Sequence, residues 1–590
     1  MQIKRFIVVV SMVVAAGWVT VGCSESNSRR TARELNEATE KATKLSLRAQ
    51  ALLANPQFVA NGERSPLRDP MVPAANLKRL QDMIRENRSQ SDIAKEMDEL
   101  AKMVAGKIQF VALDQLHPGA LAALQEAYKT LDAAIGAAGD PGNDETVKGA
   151  LAVARTTLAS VHSDMGQLYR REFDNARAEA VVGAALVELA ARQVAREQAV
   201  IAVLDTLLKP VLGPNAVSYE QALQNAKDLQ ADAKSAVDKL TAQVKALDQN
   251  RAALQSEINQ LSRDATESLL ASQAEAFDFD KSETLLEESV AFSEQVIAKS
   301  REMNEKEAAL SEAQTSLAVA QVILAVFTGE GAVAADDEGA ATEKAPASAG
   351  RVKDADAVVT SYKAMQTRVE AFRKEAQTNL TQYEQQCAAG LAAIGDCYRR
   401  AKVAADENAI KQFDMAARTA STSYQLRGDP ATKALEGAAL REYAGLRQQQ
   451  RELLASVLQA VALVPNASDE DVIGKVDSAV SVKDWGFEAT AKYEASATAF
   501  EVAVRALGGE RRHQAWVYQA NGAASLLQLA LMTDDAAKRA DSIRNASTLV
   551  AEALTNRESS PYLQHVRQLN AQVQLARGAA PWPTTPTAAE

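Results

Sequence analysis

From Asn215 to Thr328 the chain contains neither glycine nor proline, an uninterrupted run of 114 residues. Within it Tyr219, Leu223, Ala226, Gln230, Ala233, Val237, Leu240, Val244, Leu247, Arg251, Leu254, Ile258, Leu261 and Ala265 alternate by four and three without a slip, and only Gln230 and Arg251 are polar. An apolar seam of that regularity requires a partner helix, because a lone one would face water along its whole length. A continuous helix over this run would extend about 170 Å. The pattern blurs at Phe277–Lys281 and returns with Met303, Leu310, Leu317 and Leu324, so a kink or stutter is allowed between.

A segment able to supply the partner follows. Residues 328–350 are small, acidic and rich in Gly and Ala, which reads as a flexible loop. Beyond it Val358, Tyr362, Met365, Val369, Phe372, Ala376, Asn379 and Tyr383 alternate by four and three again. The expectation is an antiparallel coiled-coil hairpin over 215–427 with its tip at 328–350. Parallel pairing of each arm with a second chain, giving a homo-oligomer, is the alternative. Tyr362, Met365 and Phe372 occupy seam positions, which places them in a helix interface before any aromatic binding stripe.

Composition extends the helical reading to the whole chain. Aromatic residues are 5% of the sequence and Gly and Pro number 27 and 15 in 590, whereas strands need aromatic and β-branched residues. The fold class is therefore all-α: the long hairpin plus stacked helix hairpins. A first helix carries Leu35, Ala38, Ala42, Leu45, Ala49 and Leu52, and prolines at 56, 66, 70 and 73 mark a loop to about residue 74. A helical bundle occupies 75–214, its longest helix running over 144–209 to Pro210. The stretch 428–578 is helical with breaks near Gly428–Pro430, Val464–Asn466, Gly474 and Gly508–Gly509, and 579–590 reads as a disordered tail.

The N-terminus carries the most specific signal. Lys4 and Arg5 precede an uncharged apolar run from Phe6 to Val21, then Gly22, Cys23 and a polar stretch, the layout of a signal peptide over 1–22. The run is shorter than the roughly 20 residues of a membrane span. An uncleaved membrane helix, or a plain signal peptide with an incidental cysteine, is the alternative. Thr20-Val21-Gly22-Cys23 resembles the lipobox of bacterial lipoproteins, with Thr20 in place of the usual Leu. That resemblance implies cleavage after Gly22, acylation of Cys23, and attachment through several acyl chains, each buried CH₂ contributing only about 0.8 kcal/mol. Ser24 after the cysteine resembles the pattern of lipoproteins sent to the outer membrane, facing the periplasm.

Ser496, Phe500 and Ala503, then Ala546, Val550 and Ala553, follow a small-x3-large-x2-small pattern, and Trp516 and Ala520 echo a first-helix signature. This resembles tetratricopeptide units, although the two sets are spaced by 50 residues instead of 34. The resemblance implies stacked helix hairpins and no particular binding residues.

Chemistry-bearing motifs are sparse. His117, His162, His513 and His565 have no companion at metal-ligand spacing, so no metal site and no cofactor are expected. Pairs such as Glu287-Glu288 and Asp336-Asp337 read as solvated surface. Cys387 and Cys397 would stand about 15 Å apart on one unbroken helix, too far for a disulfide. Gly390 and Gly395 between them could turn the chain back and permit one; otherwise they are two buried thiols. A net charge of −12 and a pI near 5.2 argue against nucleic acid and leave membrane attachment to the N-terminus. These features together lead to the expectation of a non-enzymatic envelope scaffold or adaptor acting on other envelope proteins, or an assembly factor binding polypeptides through its helical repeats.

Overall fold

The computed structural model describes residues 27–54, 71–85, 90–105, 119–207, 216–274, 279–328, 355–474, 478–508, 514–555 and 563–578. Among these the chain is almost entirely helical and has no strand. The signal-peptide region, Cys23, the 328–350 loop beyond Thr328 and the tail lie outside them.

The spine of the molecule is α5 (Glu145–Leu207), preceded by α1 (Asn27–Ala54), α2 (Met71–Arg85), α3 (Gln90–Ala105) and α4 (Ala120–Ala138). At 63 residues α5 is about 95 Å long. Its antiparallel partner is one nearly continuous helix made of α8 (Ala355–Lys402), a π-helical segment (Val403–Ala409) and α9 (Ile410–Arg427). The register is read from cross-links along its length: Arg373 pairs with Asp205, Arg400 with Glu179, His162 bonds Gln412, and Ser423 donates to the Ala152 carbonyl. Phe173, Val187, Ile394, Ala401 and Phe413 are buried between them.

Between the two spine helices the chain makes α6 (Ala216–Ala274) and α7 (Phe279–Thr328), which pack along each other. Ser289 Oγ donates to the Ala265 carbonyl and Lys299 pairs with Glu257, so as one arm rises the other descends. This corrects the expected pairing. The hairpin joins residues 216–274 to 279–328, and the segment after 350 belongs to the spine. The break in pattern at Phe277–Lys281 separates two arms and is not a kink in one, so each arm spans about 75 to 90 Å and no helix of about 170 Å forms. Tyr362, Met365 and Val369 fall instead on Val200 and Leu204 at the end of α5, where the base of the hairpin also packs through Ala226 and Val326. The rings of Tyr219 and Tyr362 meet edge to face with centroids 5.2 Å apart. Ala226 shares the cluster of Val369 and Ala376, so α6 sets off in the direction of α8, back along the spine.

On the other flank of the spine, α10 (Pro430–Ala462), α11 (Asp469–Ile473), α12 (Ser478–Arg505), α13 (Ala515–Met532), α14 (Ala536–Thr555) and α15 (Leu563–Gly578) stack up and down. The turn into α10 follows local chemistry. Gly428 ends α9 at φ 69, a left-handed conformation that suits glycine, Asp429 accepts from the Thr432 amide as N-cap, and Pro430 fills the first helical position. α5 and α10, which run in the same direction, are tied by the ion pairs Arg170–Glu442 and Arg177–Glu452, and Lys538 of α14 reaches Glu494 of α12. The last helix, α15, lies against α13, α14 and also α7.

Candidate functional site

The sequence-derived positions sort clearly once placed. On α6, Leu254 and Ile258 are buried, while Val237, Leu240, Val244, Leu247 and Leu261 are half-buried. They form the seam facing α7. On α8, Tyr362, Met365 and Val369 are buried and Phe372 half-buried, against α5 and the hairpin base. Ser496, Phe500 and Ala503 of α12 and Ala546, Val550 and Ala553 of α14 are all buried. Ser496 Oγ donates to the Gly437 carbonyl at 2.6 Å and bonds Ser525 Oγ at 2.9 Å, so the small residues serve close helix crossings.

Cys387 and Cys397 are free, buried and on one continuous helix, which excludes the disulfide alternative. The glycines between them do not turn the chain. A Cβ on Gly390 would stand 2.7 Å from Val187, and one on Gly395 would collide with the Val472 carbonyl oxygen, so both positions admit neighbouring helices. Burial pushes the thiols up, to about 11 for Cys387 and about 12 for Cys397, and the low-reactivity thiol form holds at neutral pH.

Two polar clusters emerge that no motif announced. The first surrounds the π-helical segment. Asp406 accepts from Arg447 and, at 3.1 Å, from Gln450, and Arg447 Nε also reaches Glu488 at 2.6 Å. Tyr443 donates to Glu488, and Lys492 pairs with Asp414 at 3.2 Å while its ammonium sits 4.5 Å from the centre of the Tyr443 ring. One cation thus serves two carboxylates, and three helices are tied together through partly buried side chains. The π geometry, which inserts a residue into the helix and is common where a side chain must be re-aimed, brings Asp406 toward α10. Phe487 lies exposed on the adjoining turn of α12. The mutual neutralisation of these charges makes the cluster a clasp between helices.

The second cluster lies on the spine where α3 covers it. Gln193, Glu197 and Gln386 are buried there beside Tyr383, and Gln386 donates to the Ala94 carbonyl of α3 at 3.0 Å. Burial raises the Glu197 carboxyl to about 7, opposed by Arg196 and a hydrogen bond from Asn379. The side-chain oxygens of Gln193 and Gln386 have no hydrogen-bond partner among the described residues. The sequence did carry a signal for this site. Gln193 and Glu197 continue the stripe of Leu186 and Ala190 toward Val200 and Leu204, so two polar residues stand at core spacing on an otherwise apolar face.

His162, whose ring centroid lies 5.3 Å from that of Tyr128, bonds Gln412 at 2.8 Å, and burial lowers its basicity. It acts as a packed core histidine. Among the described residues no cluster of three His, Cys, Asp or Glu could hold a metal, and no helix is long and apolar enough to cross a membrane.

No protein-family model matches the chain, and no curated protein matches it. Among solved structures it is similar to a protein described as "Circular tandem repeat protein with novel repeat topology and enhanced subunit contact surfaces", at 15% identity over 94% of this chain and 100% of that one, with a TM-score of 0.14.

Proposed function

We propose that this chain is a membrane-anchored, non-enzymatic scaffold or adaptor lipoprotein of the cell envelope, acting through helix-mediated protein contacts. The observation that carries the reading is the junction of the lipobox-like Thr20-Val21-Gly22-Cys23 with a helix, α1, that begins at Asn27 and is docked into the body from its first turns. A long unsupported tether would suit a soluble domain hung loosely from lipid; this arrangement suits a body held at the bilayer. Ser24 favours the outer membrane and the periplasmic side.

Metabolic labelling with radioactive palmitate tests it. The wild-type chain should incorporate label and lose residues 1–22, whereas Cys23→Ser should remain unlabelled and persist as the longer, uncut precursor. Equal labelling of the two would overturn the reading. A second reading, an assembly factor that binds other envelope polypeptides on its stacked helices, is favoured by the exposed Phe487, which lies on the same helix as Lys492, seated over the Tyr443 ring. Excision of 216–328 should leave such binding intact and abolish any scaffold role of the hairpin.

A further inference from the structure

We infer that one particular edge of the body, where α1 begins and the α4–α5 and α9–α10 turns meet, is apposed to the bilayer surface, and that the hairpin base stands at the far end of the spine. The inference deepens the lipoprotein reading and rests on it.

Four residue steps separate Cys23 from Asn27, and whatever conformation they take they span at most about 14 Å. An acyl-bearing Cys23 therefore brings the first turn of α1 close to the lipid. That turn is not free to move away from the body. Ser46 and Gln50 both donate to the buried Asp164 carboxylate, at 2.8 and 2.9 Å, and nearer the start Ser28 hydrogen-bonds Asp144 at the head of α5. Leu35, Ala42 and Ala49 are buried between these points. Because Ser28 meets Asp144 and Ser46 meets Asp164, α1 runs in the same direction as α5, and its beginning coincides with the beginning of the spine.

The α9–α10 turn joins the same edge, since Ser423 and Thr432 both bond Thr156 near the head of α5. The residues here are charged and of mixed sign, with Arg29, Arg30 and Arg427 beside Asp140, Asp144 and Asp429. Charges of mixed sign leave little net field, so this edge suits contact with lipid headgroups while the acyl chains supply the attachment. At the other end of α5, Val200 and Leu204 hold the hairpin base. Between the two ends lies the 63-residue length of α5, about 95 Å.

Energy transfer in vesicles tests the orientation. The acylated full-length protein carries a donor dye on a single introduced thiol, either Asn143→Cys on the α4–α5 turn or Thr206→Cys at the hairpin base; both positions are exposed, and the native thiols are buried. It is reconstituted in phosphatidylethanolamine–phosphatidylglycerol vesicles bearing a headgroup-linked rhodamine acceptor. Transfer should be roughly threefold or more stronger from position 143, given about 95 Å of helix between the sites. Equal transfer, or stronger transfer from position 206, overturns the orientation. Flotation of the same vesicles separates the two levels: acylated wild-type protein that does not float sinks the lipoprotein reading as well.

Discussion

The hairpin and the spine are both long antiparallel helix pairs, yet they are built on different terms. In the hairpin each arm is covered chiefly by the other, with smaller contacts to α5, α8 and α15, so Val237, Leu240, Val244 and Leu247 remain half-buried along a two-stranded seam. In the spine, α5 is enclosed by α8–α9, α10, α1 and α3, and residues on several of its faces vanish from solvent, among them Leu158, Val161, Leu168, Phe173 and Val187. A strict heptad marks a helix with one partner, whereas a helix with many partners loses its clean period as it gains burial. The segment with the clearest pattern is consequently the least buried.

This contrast can be broken most directly by truncating one side chain in each region. Phe413→Ala, in the spine and fully buried against Gly166, should lower unfolding stability by about 3–5 kcal/mol. Val244→Ala in the hairpin should cost less than about 1 kcal/mol, since the side chain is already half in water. Urea denaturation of the two variants gives the comparison, and equal shifts would show that the hairpin is packed as tightly as the body.

The next largest effect belongs to Glu197. Its folded-state value of about 7 lies above the unfolded one near 4.5, so its contribution to stability is complete below pH 4.5 and is lost as pH rises through 7. The span corresponds to about 3 kcal/mol. Wild-type urea midpoints should therefore fall between pH 5 and pH 8 by more than those of Glu197→Gln, and parallel behaviour of the two would remove the carboxyl as the source. Val244→Ala should leave that pH slope unchanged, because Val244 lies on the hairpin arm α6, away from the α3-covered stretch of the spine that holds Glu197.

Asp164→Ala sharpens the picture at the anchor end. It strips Ser46 and Gln50 of their shared acceptor, and should cost about 1–3 kcal/mol while making α1 the first segment cut in limited proteolysis. Protection of α1 in that variant would show that Leu35, Ala42 and Ala49 suffice to hold it. The smallest effect is chemical. Cys387 and Cys397 should resist maleimide in the native protein and react fully in denaturant, with no change in gel mobility on reduction.

Much of this architecture was legible in the sequence. The all-α class, the bounds of α5, the breaks at Gly428–Pro430 and Gly474, and the stripes through Val237–Leu261 and Tyr362–Phe372 all follow from periodicity and helix punctuation. Partner choice was not legible. A stripe states that a helix is covered without stating by what, and proximity in sequence favoured joining Tyr362 to the preceding run when α5, some 150 residues earlier, supplies its surface. The absence of Gly and Pro misled for a related reason: a chain can reverse without either. The glycines at 390 and 395 misled in the opposite sense, because within a helix a missing Cβ also makes room for a neighbour. The Asp406–Arg447–Glu488 clasp could not be foreseen at all, since its members come from three helices and share no spacing.

The nesting of the hairpin between two helices that already pair with each other has a consequence for how such a molecule can vary. The two ends of the inserted segment leave and rejoin the body at one place, where Tyr219, Val326 and Tyr362 meet. Whole heptads added to both arms together at the tip would leave the base, and the contact of α15 with α7, where they are. The arm then acts as an adjustable spacer whose reach is tuned in steps of about 10 Å, seven residues at a time, while the apparatus that carries it stays the same.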